Sequence, residues 1–389
     1  MKKVFLTTTF KLCDNNGYLG TQLSNFFSKN GFERVFSPEQ ADVMVISTCG
    51  FDQERENASV AIVDQYIKNF GKEKDVIVCG CLPKINPDIF KQLGITVIGP
   101  KEMHRFNERF NAAVRIEDVT GSRLDEAFIS KEYGFLDTYY LQICQGCRNN
   151  CSYCGIKKAK GGVKSKTIAT ILRELEEGIK KGYSRVMLLG DDCGSYGMDI
   201  GTDLSELLNV MARFDIRIHI NYIEPGEFKD LYMKINPDVL EKIDFINIPV
   251  QTTSERILQL MNRRYDSNEI MEIVRTTKKR FPHIFMETHV ILGFPSETIE
   301  EFRDTFRLSK VFDSTIYFYY TDRKNVQSAS FAGKIPAHEM IRRTQEVIDH
   351  PQFSWQQSEK LPPLVLLGYS MSKEALFDSI EKNCLTESV

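Results

Sequence analysis

The sequence predicts an α/β protein: an N-terminal parallel-sheet α/β domain followed by an open, partial (βα)6 barrel. Short runs of Val, Ile and Leu alternate with longer helical patterns along most of the chain. Parallel strands joined by right-handed crossover helices leave that pattern. The runs fall into two blocks separated by residues 117–137, a linker where charge is mixed and periodicity weak. The second block holds about six strand–helix units, fewer than the eight that close a full barrel.

In the first block, residues 1–116, strands are expected at 4–9, 42–47, 75–78 and 95–98, with helices over about 18–29 and 53–70. The opening MKKVFLTTTF has the basic start of a secretory leader. Three threonines break its apolar stretch and DNNG follows at once, so a first strand is expected there instead. In the second block, residues 138–348, strands are expected at 139–143, 185–189, 217–222, 244–248, 286–292 and 315–319, and helices at 168–181 and 268–280. Reactive groups belong at the carboxyl ends of such strands. Residues 349–389 read as a short tail, with one strand at 364–367 and apolar anchors at Phe353 and Trp355.

With 42% hydrophobic and 26% charged residues the composition is that of an ordinary globular protein. No apolar run approaches the roughly 18 residues needed to cross a membrane. A cytoplasmic monomer is expected. A net charge of −3 gives no general attraction to nucleic acid. Ten cysteines in a reducing compartment point to metal binding or redox chemistry rather than disulfides. Six histidines, with no HxH or HExxH pair, argue against a histidine-rich zinc site.

Cys147, Cys151 and Cys154 form C-x3-C-x2-C just after the first barrel strand. Three thiolates on one loop can hold three irons of a 4Fe–4S cubane and leave the fourth open to chelation. A structural zinc site would want four ligands, and no partner pair is near; inert buried cysteines are the other reading. Cys13, Cys49 and Cys81 each fall at or just beyond the carboxyl end of a first-block strand. Those ends lie along one edge of a parallel sheet, so the three could converge there. Small buried hydrophobes, the alternative, would sit inside the strands. Cys79 shares a strand face with Cys81 by alternation, which leaves its role open. Cys144, Cys193 and Cys384 match no ligand position. The basic run at 157–166 is either an acid-binding rim or a solvated loop.

Together, C13-DNN, ADVMVISTC49-GF, C79-G-C81-L, LQICQGCRNNCSYC, NIPVQTTSERILQLMNRRY, ILGFPSET and YTDR resemble the methylthiotransferase family of radical S-adenosylmethionine enzymes. Members modify tRNA bases or a ribosomal-protein aspartate. The likeness runs from residue 10 to about 345, most of the chain. It implies two 4Fe–4S clusters, one on Cys147, Cys151 and Cys154 and one on Cys13, Cys49 and Cys81, with S-adenosylmethionine chelated to the first. The implied reaction cleaves S-adenosylmethionine to a 5′-deoxyadenosyl radical, abstracts a substrate hydrogen, and delivers a sulfur or methylthio group from the second cluster. A reducing donor such as flavodoxin or ferredoxin would feed it.

The same resemblance gives cofactor contacts to Tyr153, Gly190, Asp191, Glu224, Gln251, Arg263, Gly293 and Arg323. Tyr153 would lie near the adenine. Asp191, where the family more often has Gln, would meet the amino group, unless it caps a turn. Glu224 would bind a ribose hydroxyl or start the turn before Pro225. Gly293 would admit the adenine against backbone or serve a turn.

Family members usually end in a β-barrel of about sixty residues that recognises the substrate, whereas about forty residues follow Ile348 with too few strands for one. Thr252–Thr253, His289 and Asn325–Val326 also depart from the family at the barrel mouth. The reading is therefore a peptide or protein methylthiotransferase. A tRNA methylthiotransferase without the usual recognition domain, and a non-catalytic iron–sulfur carrier, are the alternatives.

Overall fold

A computed structural model describes residues 1–130, 137–354, 364–366 and 373–384. Trp355, Leu367 and part of the 117–137 stretch lie outside the described residues. The chain divides into two compact units, Met1–Gln142 with Gly155–Gly162, and Ile143–Cys154 with Val163–Val389.

The first unit is built on five parallel strands: β1 (Lys3–Thr8), β2 (Glu33–Val35), β3 (Val43–Thr48), β4 (Asp75–Gly80) and β5 (Thr96–Ile98). Their order is β2-β1-β3-β4-β5. This is a doubly wound sheet whose chain direction switches between β1 and β3. Every residue of β3 is buried, as a central strand covered by helices on both faces requires. One face packs Leu6, Val45, Ile77 and Cys79 against Phe26 and Phe27; the other packs Met44, Ile46, Val76 and Val78 against Val63. Gly80 has φ +95°, and a side chain there would strike the Thr48 carbonyl. Glycine therefore lets β4 turn out beside β3 into Cys81.

The second sheet adds β6 (Tyr139–Gln142), β9 (Arg185–Leu189), β10 (Arg217–Ile220), β11 (Ile243–Asn247), β12 (Phe285–Leu292), β13 (Ser314–Tyr319) and β14 (Leu364–Leu366). It runs β14-β13-β12-β11-β10-β9-β6. Between them, β7 (Cys144–Gln145) and β8 (Lys164–Ser165) form a short antiparallel pair around the cysteine segment. Six of the seven strands are those expected of the partial barrel, and β14 joins parallel to β13 as a seventh. Helices Ile168–Lys180 and Ser267–Arg280 lie where expected. Among the described residues, no helix is long and apolar enough to cross a membrane.

Candidate cluster and cofactor sites

In the first unit the topology brings the distant cysteines to one edge. Cys13 caps the helix Asp14–Lys29 after β1, Cys49 directly follows β3, and Cys81 directly follows β4 and caps Leu82–Ile85. β1, β3 and β4 are neighbours in the sheet. Hydrogen bonds tie these ends together: Cys81 N–H donates to Thr48 O at 3.1 Å and Thr9 N–H to Ser47 O at 2.9 Å. The Cys49 N–H reaches the hydroxyls of Thr9 at 3.3 Å and Ser59 at 3.2 Å. Asn16 donates to Phe10 O at 2.9 Å and accepts from the Ser47 hydroxyl at 2.5 Å, fastening the Cys13 loop to β3.

Burial pushes the thiols of Cys13 and Cys49 up to about 12, and the neighbouring cysteines of the set push in the same direction. Buried thiols close to one another ionise more readily when a cation neutralises them, which is what iron does. Cys79 is different. It is fully buried in the apolar core on the face of Leu6 and Phe26, as a structural cysteine would be. Sequence reasoning missed Arg55, 3% exposed, whose guanidinium lies 4.5 Å from the Phe10 ring and 5.3 Å from the Phe51 ring and pairs with Asp52. Its positive charge opposes the upward shift at Cys49. Its position in DQERE resembles a solvated helix face, so no sequence signal marks it.

In the second unit Cys147, Cys151 and Cys154 lie on the segment leaving β7. Burial raises the Cys147 thiol to about 12, and the nearby charges of Asp192, Cys151 and Cys154 add to the shift. The segment is held at both ends. Gly146 N–H donates to Asp191 Oδ2 at 2.7 Å, Arg148 N–H to the Ser195 hydroxyl at 3.2 Å, and Ser152 N–H to Met261 O at 3.1 Å.

Asp191 thus anchors the start of the loop. Its neighbour Asp192, which sequence reasoning passed over, lies against the Cys147 sulfur at 3.8 Å. Two adjacent aspartates after one strand gave no means of telling them apart.

Arg263 bridges Tyr153, whose hydroxyl it meets at 2.8 Å, and Glu224 at 3.3 Å. Glu224 also caps the helix Pro225–Lys234 through Gly226 N–H at 2.7 Å, which is the turn-starting role expected before Pro225. Gly190 has no room for a side chain, which would lie 2.9 Å from the Cys144 sulfur. Gly293 has φ +76°, and the group crowding it is the Met340 side chain. Met340 belongs to the helix Ala337–Ile348, so a side chain at Gly293 would collide with that helix. Gln251, with φ +69°, and Arg323 are both buried.

Among the described residues no three His, Cys, Asp or Glu side chains are placed to hold one metal ion. A cubane spreads its thiolates over separate irons, so its ligands stand further apart than those of a single ion. Each set offers three thiolates, the number that holds a cubane with one iron left open, whereas a structural zinc site takes four ligands. Ser152 Oγ, Thr253 Oγ1 and Arg263 Nε are buried without a hydrogen-bond partner, polar valences that an amino-acid- and ribose-bearing cofactor can meet.

Residues 141–309 match the radical SAM superfamily and residues 5–98 match uncharacterized protein family UPF0004. A probable threonylcarbamoyladenosine tRNA methylthiotransferase of Pyrococcus horikoshii is 30% identical over 313 residues, 77% of this chain and 72% of the relative. The chain belongs to the radical S-adenosylmethionine methylthiotransferase family. A tRNA-2-methylthio-N(6)-dimethylallyladenosine synthase of Acetivibrio thermocellus is 27% identical over 90% of this chain and 76% of that one.

The radical S-adenosylmethionine methyltransferase TsrM of Kitasatospora setae has a similar fold. Its TM-score is 0.61 at 14% identity, covering 90% of this chain and 77% of that chain. As a radical S-adenosylmethionine methylthiotransferase, the protein is an enzyme that transfers sulfur-containing groups and uses S-adenosylmethionine and 4Fe–4S clusters.

Proposed function

We propose that this methylthiotransferase acts on tRNA, at a modified adenosine. The likeness to the two tRNA-adenosine methylthiotransferases named above carries the reading. A peptide or protein substrate, the first expectation from sequence, has no support among these relatives.

Cys147, Cys151 and Cys154 would hold the cluster that binds S-adenosylmethionine, and Cys13, Cys49 and Cys81 the second. The bound cofactors supply one-electron cleavage of S-adenosylmethionine and a sulfur for transfer. The chain's own residues position and shield. Asp191 and Asp192 hold the barrel loop. The Arg263 guanidinium fixes the Tyr153 ring, which packs edge-on against Phe294 at 6.4 Å and offers a flat wall to an adenine. Glu224 and Gln251 offer acceptors for ribose hydroxyls and the ammonium group. A cytoplasmic location and a flavodoxin- or ferredoxin-like reductant complete the proposal.

Anaerobically reconstituted enzyme should be incubated with S-adenosylmethionine, reductant and either tRNA or candidate peptides. A gain of about 46 Da on an adenosine nucleoside, a hydrogen replaced by methylthio, is the expected outcome. The same gain on peptide and none on tRNA would overturn the reading.

A further inference from the structure

In the middle of the second unit's sheet lies a polar cluster that neither cysteine set uses. Asn247 ends β11 in register with Glu287 on β12, and His289 follows on the same face. Asn247 Nδ2 donates to Glu287 Oε1 at 2.5 Å and lies 2.9 Å from His289 Nε2; that nitrogen is 3.3 Å from the same Glu287 oxygen. All three residues are more than nine-tenths buried. Even so, Asn247 Oδ1 and Glu287 Oε2 have no hydrogen-bond partner in the protein. An unpaired buried acceptor is costly, and such a cost persists where a ligand completes it.

The face these side chains occupy follows from β13. Tyr317 points to the covering helical segment, with its hydroxyl 2.9 Å from the Thr305 hydroxyl and its ring against Phe306. Tyr317 is in register with Val290. Alternation then turns Glu287 and His289 to the opposite face, the inner side of the partial barrel. There the His289 ring meets Phe318 edge-on at 5.1 Å and Tyr222 at 5.7 Å. The His289 carbonyl accepts from Gln251 N–H at 2.7 Å, which sets the cluster beside a proposed cofactor residue.

We propose that Asn247 and Glu287, steadied by His289, form the subsite for the N6 substituent of the target adenosine, and that this substituent carries N–H or O–H donors. The proposal rests on the tRNA reading above. The Asn247 amide donor is already engaged, so the open valences are both acceptors. A threonylcarbamoyl group offers them a carbamoyl N–H and a hydroxyl. A dimethylallyl group is hydrocarbon, and would leave both oxygens buried and unpaired.

The test uses full-length reconstituted enzyme and two anticodon-stem RNAs that differ only in carrying threonylcarbamoyl or dimethylallyl at the target adenosine. The readout is the ratio of the two rates of methylthiolation, followed by mass spectrometry; a misfolded fraction lowers both rates and leaves the ratio alone. The unaltered enzyme should favour the threonylcarbamoyl RNA. Asn247→Leu and Glu287→Leu should each lower that preference about 10- to 100-fold, with Glu287→Gln, which keeps the shape and loses one acceptor, in between. Equal rates, a preference for the dimethylallyl RNA, or variants with an unchanged ratio overturn the subsite. Modification of neither RNA is a different failure: it removes the tRNA reading and this proposal with it.

Discussion

Asp192 sets a carboxylate oxygen 3.8 Å from the sulfur of Cys147 and, through its two oxygens, accepts from three backbone or hydroxyl donors. Those donors are Gly194 N–H at 3.1 Å, Glu224 N–H at 3.1 Å and the Ser195 hydroxyl at 2.6 Å. Asp192→Ala strands them in a buried site. Stability should fall by about 1–3 kcal/mol in chemical denaturation. Iron held by the barrel set should fall with it, while the first unit keeps its share. Unchanged iron and stability would show that Asp192 supports nothing.

The two cysteine sets should separate two activities. The intact enzyme should bind about eight irons, and replacing Cys147, Cys151 and Cys154 by Ala should leave about half and abolish formation of 5′-deoxyadenosine. With Cys13, Cys49 and Cys81 replaced instead, 5′-deoxyadenosine should still form and C–S bond formation should stop. Methylthiolated product from that second variant would falsify the sulfur-donor role.

Cys79 should be a spectator. Its side chain is fully buried in the apolar core and its thiol is pushed up to about 12, chiefly by burial. Cys79→Ala should cost about 1 kcal/mol from the small cavity and leave the iron content unchanged. Cys144, Cys193 and Cys384 should tolerate Ser in the same assay. Loss of a whole cluster in any of the four variants would reassign that cysteine as a ligand.

Gly80→Ala should act on the first unit alone. The change puts a side chain at φ +95° against the Thr48 carbonyl. A cost of about 1–3 kcal/mol is expected. The Cys81 cluster should lose occupancy, and 5′-deoxyadenosine formation should survive.

The strands were legible because central parallel strands are apolar on both faces, as β3 is throughout. β2 was not. It is three residues, Glu33, Arg34 and Val35, at an edge where charge protects against further pairing and hides the strand pattern. The helix expected from residue 18 begins at Asp14. DNNG looks like a breaker, but Asn16 spends its side chain on the Thr8 hydroxyl and the Phe10 carbonyl, so tertiary contacts outweigh its poor propensity.

The six candidate ligands could be picked out because thiols at strand ends are chemically conspicuous. The supporting groups could not. Asp192, Arg55 and the Asn247–Glu287 pair are ordinary polar residues until the fold buries them.

Cys49 and Cys81 directly follow neighbouring strands and Cys13 sits on the loop after a third, so the three are brought together by the order of strands that lie about 4.8 Å apart across the sheet. The number of residues between them does not enter. The crossovers can therefore lengthen or shorten without disturbing the thiols, and a few residues inserted beside Gly71 should leave that site whole. Cys147, Cys151 and Cys154 share one short segment, where a single residue inserted between Cys147 and Cys151 displaces a ligand. One site is measured by the pitch of a sheet and the other by the count of a loop, so the first tolerates changes in length that the second does not.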